Sequence, residues 1–89
     1  MYSPSLVVHL ESPYRAYELR DAPARDVVLM GFHWSAPYWN DLAIGWIEQG
    51  LPVDAEIADC LQRIVEKPKW PQRLRHRAQA LLRTWRRPG

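Results

Sequence analysis

Cysteine is almost absent from this chain, since Cys60 is the single one among 89 residues. One cysteine cannot close an internal disulfide, so a small fold held together by disulfides is excluded. The same scarcity favours a reducing compartment, and we expect a cytoplasmic protein. Glycine is also scarce, at four residues, and none of them forms a glycine-rich loop of the kind that binds phosphates or dinucleotides.

Long apolar runs are missing as well. The longest, residues 27–32, is six residues long, whereas a membrane-spanning helix needs about 20. The N-terminus has neither the basic start nor the apolar stretch of a secretory signal. We therefore expect no membrane segment and no export signal. A chain this short predicts a single domain, residues 1–89, because a domain usually contains about 100 residues.

Acidic residues are lacking in the C-terminal part. Residues 1–66 hold all ten acidic residues and four arginines, whereas residues 67–89 hold eight basic residues and no acidic one. The resulting charges are −6 and +8, which give the net charge of +2. This asymmetry is the least ordinary feature of the composition and needs a counter-charge.

Three kinds of molecule or residue could supply the negative counter-charge. The acidic residues of the same domain would neutralise part of a basic C-terminal helix, and an acidic protein partner would do the same. Nucleic acid or another polyanion is the third source. The residues that we expect at a polyanion or an acidic partner are Arg75, Arg83, Arg86 and Arg87.

Alternation predicts strands near the N-terminus. In residues 6–11 the apolar side chains of Leu6, Val8 and Leu10 would share one face of a strand. Residues 14–20 fit a second strand. The alternative there is a short helix with Ser12 as the N-cap and Pro13 at its first position.

The strongest strand pattern covers residues 27–34, which are apolar on both faces of a strand and predict cover on both sides. Gly31 within it suggests a β-bulge or a close approach of another backbone. Together these segments predict a small antiparallel sheet of two or three strands over residues 6–34.

Three helices are predicted after the sheet, over residues ~36–49, ~55–67 and ~71–87, because each segment has an apolar stripe at helical spacing. Asp54 is a good N-cap for the second helix, and Gly50 suits the end of the first, with Leu51 packing back on Trp46. Short links predict antiparallel neighbours. Strands followed by helices make α+β the expected fold class.

Aromatic residues cluster where the last strand would meet the first helix, at residues 32–39. Trp39 belongs to the helix stripe and is expected in the core. Trp34 and Tyr38 are the expected exposed anchors for a protein partner, because tryptophan and tyrosine are common interface anchors. The alternative is that these rings pack the sheet onto the helices.

Catalytic and metal-binding patterns are missing. The histidines lack metal-ligand spacing, no nucleophile motif is present, and Cys60 lies on a helix stripe as a small buried apolar residue. We expect no catalytic residue, cofactor or metal. The predicted function is a small non-catalytic module that binds another protein or itself as a homodimer. The alternative is nucleic-acid binding through the arginine-rich C-terminal helix.

Overall fold

A computed structural model describes residues 4–17, 22–34 and 36–86, and these residues are helical or irregular, without a β-strand. Two 3₁₀ segments precede four α-helices. Their bounds are Pro4–Glu11 and Tyr14–Ala16 for the 3₁₀ segments, and Ala24–His33 (α1), Pro37–Glu48 (α2), Ala55–Val65 (α3) and Gln72–Arg86 (α4) for the helices.

The predicted α+β class is therefore wrong, because the described residues form an all-helical fold and no sheet. The three helices predicted at ~36–49, ~55–67 and ~71–87 are present, and their ends differ from the prediction by at most two residues. Their antiparallel arrangement stays a prediction.

The strand predicted at residues 6–11 is replaced by the first 3₁₀ segment. Val7 and Leu10 are both 2% exposed, whereas Val8 is 47% exposed. A spacing of three residues between buried positions is the period of a 3₁₀ helix, not of a strand. The alternation of apolar residues predicts Val8 on the same face as Leu10. In so short a segment, an apolar period of two residues cannot be distinguished from a period of three.

The strand predicted at residues 27–34 is replaced by α1. The carbonyl of Pro23 accepts hydrogen bonds from the backbone N–H of Asp26 at 2.9 Å and of Val27 at 3.3 Å, which closes the first helical turn. Asp26 lies in that turn, where a carboxylate suits the helix dipole. An apolar run that is buried on all sides fits a helix as well as a strand, so this run did not distinguish them.

Gly31 of α1 marks a close approach between elements, not a bulge. A Cβ atom added there would lie 2.5 Å from Leu10 Cδ1 and 3.3 Å from Ala43 Cβ. A larger residue would require the Leu10 side chain to move, so glycine lets the first 3₁₀ segment and α2 pack this closely on α1.

The second predicted strand, residues 14–20, is described only over residues 14–17, and these residues do not form a strand. Tyr14–Ala16 form one 3₁₀ turn, and Pro13 occupies the position before it without a side-chain cap. Tyr17 is extended, with φ −74° and ψ 126°. The short-helix alternative is thus nearer to the structure, and residues 18–20 lie outside the described residues.

The chain divides into two compact units, Met1–Pro52 and Val53–Gly89. In the first unit α1, α2 and the first 3₁₀ segment pack on one another. Trp46 of α2 is the central side chain: it is 1% exposed, and its indole Nε1 donates a hydrogen bond to the Ser12 carbonyl at 2.8 Å. The Tyr14 and Tyr17 rings lie 5.7 and 5.3 Å from the Trp46 ring. The single domain over residues 1–89 stays a prediction.

In the second unit α3 packs on α4. Asp54 caps α3 as predicted, since its Oδ1 accepts a hydrogen bond from the Ile57 backbone N–H at 2.9 Å. The buried side chains lie at helical spacing, as the stripes predict, except that Trp85 of the α4 stripe is 43% exposed. They are Ile57, Ala58, Cys60, Leu61 and Ile64 of α3, and Leu74, Ala78 and Leu82 of α4.

The end of α2 also forms as predicted. Gly50 has φ +127° and donates its N–H to the Ile47 carbonyl at 3.0 Å, and Leu51 donates to the Trp46 carbonyl at 3.2 Å. This pair of bonds is a Schellman cap, in which glycine takes the positive φ that other residues avoid.

Within the described ranges, no helix combines the length and apolarity that crossing a bilayer requires.

Candidate protein-interaction surface

Asn40 organises the junction between α1 and α2. It is 2% exposed, and its Nδ2 donates hydrogen bonds to the carbonyls of Gly31 at 3.0 Å and of Trp34 at 3.1 Å. Both carbonyls belong to the C-terminal end of α1, where backbone acceptors have no partner in their own helix. One buried amide therefore satisfies the end of α1 and ties it to the first turn of α2.

The sequence analysis does not predict Asn40, because it places Trp39 in the buried stripe of α2. Trp39 is only half-buried, and the buried row contains Asn40, Ala43, Ile44 and Ile47. These four positions have the spacing i, i+3, i+4 and i+7. A polar residue in an otherwise apolar row is the signal that the sequence offers for Asn40.

Trp34 follows the last residue of α1 in extended conformation, with φ −73° and ψ 134°. Its side chain is 41% exposed, as expected for an anchor. The backbone leaves the helix here, and the Trp34 carbonyl accepts a hydrogen bond from Asn40. Ser35 lies outside the described residues, and Ala36 occupies the N-cap position of α2.

Tyr38 in the first turn of α2 is 54% exposed. Its hydroxyl donates a hydrogen bond to Oε2 of Glu11, and its ring lies 4.8 Å from the Trp39 ring in an edge-on arrangement. The hydrogen bond to the Glu11 carboxylate raises the pKa of Tyr38, because the bond exists only while the phenol keeps its proton. Tyr38 therefore links α2 to the first 3₁₀ segment while leaving much of its ring in solvent.

Val8 extends this surface. It is three residues before Glu11 in the first 3₁₀ segment, and side chains three residues apart eclipse one another in a 3₁₀ helix. Val8 thus lies on the same side of the segment as Glu11, whose carboxylate accepts the hydrogen bond of Tyr38. Val8, Trp34 and Tyr38, which we call the junction surface, are the exposed large apolar side chains among residues 7–17, 22–34 and 36–52.

The basic residues predicted to bind a partner lie in the second unit. Arg75 is half-buried, and its Nε donates to the Trp70 carbonyl at 3.1 Å. Arg86 is exposed, and its Nη2 donates to Gln62 Oε1 at 2.8 Å. Arg83 is exposed and forms no ion pair with any residue that the structure describes. Arg87 lies outside the described ranges.

Metal-ligating side chains lie apart from one another in the described ranges. In residues 4–17, 22–34 and 36–86, no three histidine, cysteine or acidic side chains come close enough together to hold a metal ion. Cys60 is buried, as predicted. Burial raises the pKa of its thiol, so Cys60 is a neutral thiol at pH 7 and not a reactive thiolate.

Comparison of the chain with protein-family models, with curated proteins and with solved structures gives no significant match. A functional assignment therefore depends on the chemistry of the side chains described above.

Proposed function

We propose that this chain is a non-catalytic interaction module that binds a protein partner through the junction surface, with Trp34 and Tyr38 as the anchors. The observation that carries the proposal is that two large aromatic side chains, 41% and 54% exposed, flank one short link. Buried tryptophan and tyrosine anchors supply much of the binding energy in protein interfaces.

The anchors are held in place before a partner binds. Asn40 fixes the Trp34 backbone, and Glu11 and the edge of the Trp39 ring hold the Tyr38 side chain. A side chain that is already ordered loses less conformational entropy on binding, which otherwise costs about 0.5–1.5 kcal/mol for each flexible side chain. The junction surface therefore combines apolar area with a low cost of ordering, as expected of an interface.

The partner in this proposal is either a different protein or a second copy of the chain. We place the module in the cytoplasm as part of the same proposal, supported by Cys60, which is a free thiol and the single cysteine of the chain. A reducing compartment suits a chain that gains no stability from disulfides.

The proposal is tested by comparing Trp34→Ala with Trp85→Ala. Trp85 is a matched control, because it is 43% exposed and Trp34 is 41% exposed, but Trp85 lies in the second unit. We expect Trp34→Ala to weaken binding at least about 30-fold, the effect of losing a hot spot of about 2 kcal/mol. Trp85→Ala should leave binding unchanged.

Two measurements separate the possible partners. Sedimentation equilibrium over a range of concentrations detects a homodimer, and crosslinking with purification from cell extract detects a different protein. The wild type and Trp85→Ala should retain the same complex, and Trp34→Ala should lose it without a change in melting temperature. A collapse of the melting temperature in Trp34→Ala would assign Trp34 a structural role. Equal binding by all three proteins would show that Trp34 is not an anchor.

A further inference from the structure

The exposed side of α4 carries positive charge without carboxylates. Gln72, Arg75, Gln79, Arg83 and Arg86 follow one another at intervals of three or four residues, which places them on one face of the helix. We call these five residues the basic ridge. Arg75 is half-buried and the other four are exposed. Residues 72–86 contain no acidic side chain.

Two arginines of the ridge are positioned by neutral groups. Arg75 donates to a backbone carbonyl, that of Trp70, and Arg86 donates to the amide oxygen of Gln62. The carboxylate of Glu66 is bonded to the Nε2 of Gln62 at 3.0 Å and not to Arg86. Such contacts orient a guanidinium group without neutralising it, so both side chains keep their full charge.

The chemistry of the ridge suits phosphate better than a protein surface. Its five side chains are arginines and amides, the groups that donate hydrogen bonds to phosphate oxygens. No apolar side chain lies among them, whereas the centre of a protein interface is usually apolar and poor in charge. Arg75 and Arg86 are separated by about 16 Å along the helix axis. That distance spans about five phosphates of one strand of a duplex.

We propose that the basic ridge binds the phosphate backbone of nucleic acid without base preference. This site is independent of the junction surface, uses different residues and lies in the second unit. Affinity is expected to come from release of the counterions that surround the phosphates, so it falls steeply with salt concentration.

The decisive variant is Arg83→Gln. Arg83 forms no ion pair among the residues that the structure describes, so its loss should leave the fold intact. Fluorescence anisotropy would measure binding of labelled mixed-sequence DNA, single- and double-stranded, from low to physiological salt. Arg83→Gln should reduce the slope of log affinity against log salt by about 0.9 for duplex or about 0.7 for single strands. Arg83→Lys should keep the wild-type slope.

Arg25→Gln provides the matched control, because it removes the same charge from the first unit, where Arg25 pairs with Asp26 at 3.3 Å. Its salt slope should equal that of the wild type. The proposal is overturned if DNA fails to bind at low salt, or if Arg25→Gln and Arg83→Gln change the slope equally. It is also overturned if polyglutamate at equal charge displaces the DNA, since the ridge would then recognise carboxylates.

Discussion

At the scale of single residues, polar groups placed at special positions determine how the aromatic side chains are presented. The Glu11 carboxylate accepts a hydrogen bond from the Tyr38 hydroxyl, and the Ser12 carbonyl accepts one from the Trp46 indole N–H. The first contact is at the surface and holds a ring that stays exposed. The second is in the core and ties the buried ring to the chain that covers it. One aromatic side chain of this unit is therefore held at the surface, and another is held in the core.

The contact between Tyr38 and Glu11 predicts a dependence on alkaline pH. The hydrogen bond raises the pKa of folded Tyr38, so its stabilising effect is complete below about pH 10, the usual pKa of tyrosine. The effect is lost as the pH rises through the folded pKa. Glu11→Gln removes the negative charge, and we expect the pKa of Tyr38 to fall toward its usual value.

An NMR titration of the Tyr38 ring would measure this change, with Tyr17 as the internal control. The Tyr17 hydroxyl donates to a backbone carbonyl, that of Ala22 at 2.5 Å, and not to Glu11. Glu11→Gln should leave the Tyr17 ring signals at neutral pH unchanged, as expected if the fold is intact. An unaltered Tyr38 titration in Glu11→Gln would contradict the assigned cause of the raised pKa.

At the scale of elements, the ends of the helices explain the architecture better than their apolar content does. The first turn of α1 and the Schellman cap of α2 close through backbone hydrogen bonds, and Asp54 caps α3 with its side chain. The junction of α1 and α2 depends on Asn40 instead. A buried amide that serves the carbonyls of a neighbouring helix is a tertiary contact, and the local sequence shows only that Asn40 lies in an apolar row.

Asn40→Ala should therefore lower the free energy of unfolding by about 1–3 kcal/mol, the cost of leaving buried carbonyls without a donor. Urea denaturation would measure the loss. Gln79→Ala is the control, because it removes an exposed amide from α4 and should change stability by less than about 0.5 kcal/mol. Equal values for the two variants would show that the hydrogen bonds of Asn40 contribute nothing to stability.

At the scale of the whole molecule, the question is whether the two compact units unfold together. The second unit, residues 53–89, is shorter than the roughly 40 residues below which a chain seldom folds without disulfides, metals or partners. Its single cysteine, Cys60, forms no disulfide. We therefore expect one cooperative transition for the 89 residues, in agreement with the single domain that the sequence predicts.

Leu61→Ala tests this expectation, because Leu61 of α3 is fully buried. The substitution should cost about 2–5 kcal/mol. The melting temperature should fall by the same amount whether it is followed by the near-ultraviolet signal of the aromatic residues or by total helix content. Two separate transitions, of which only one shifts, would show that the units fold independently.

The sequence by itself determined the three later helices, their ends and the buried positions of α3, because helical periodicity, Asp54 and Gly50 are local signals that tertiary contacts did not override. It also indicated that Trp34 and Tyr38 would be exposed. Only the tertiary structure decided that residues 6–11 and 27–33 are helical. Short apolar runs fit strands and buried helices equally well, and the distinction comes from what packs against them. At Gly31 that partner is Leu10, a contact no local pattern encodes.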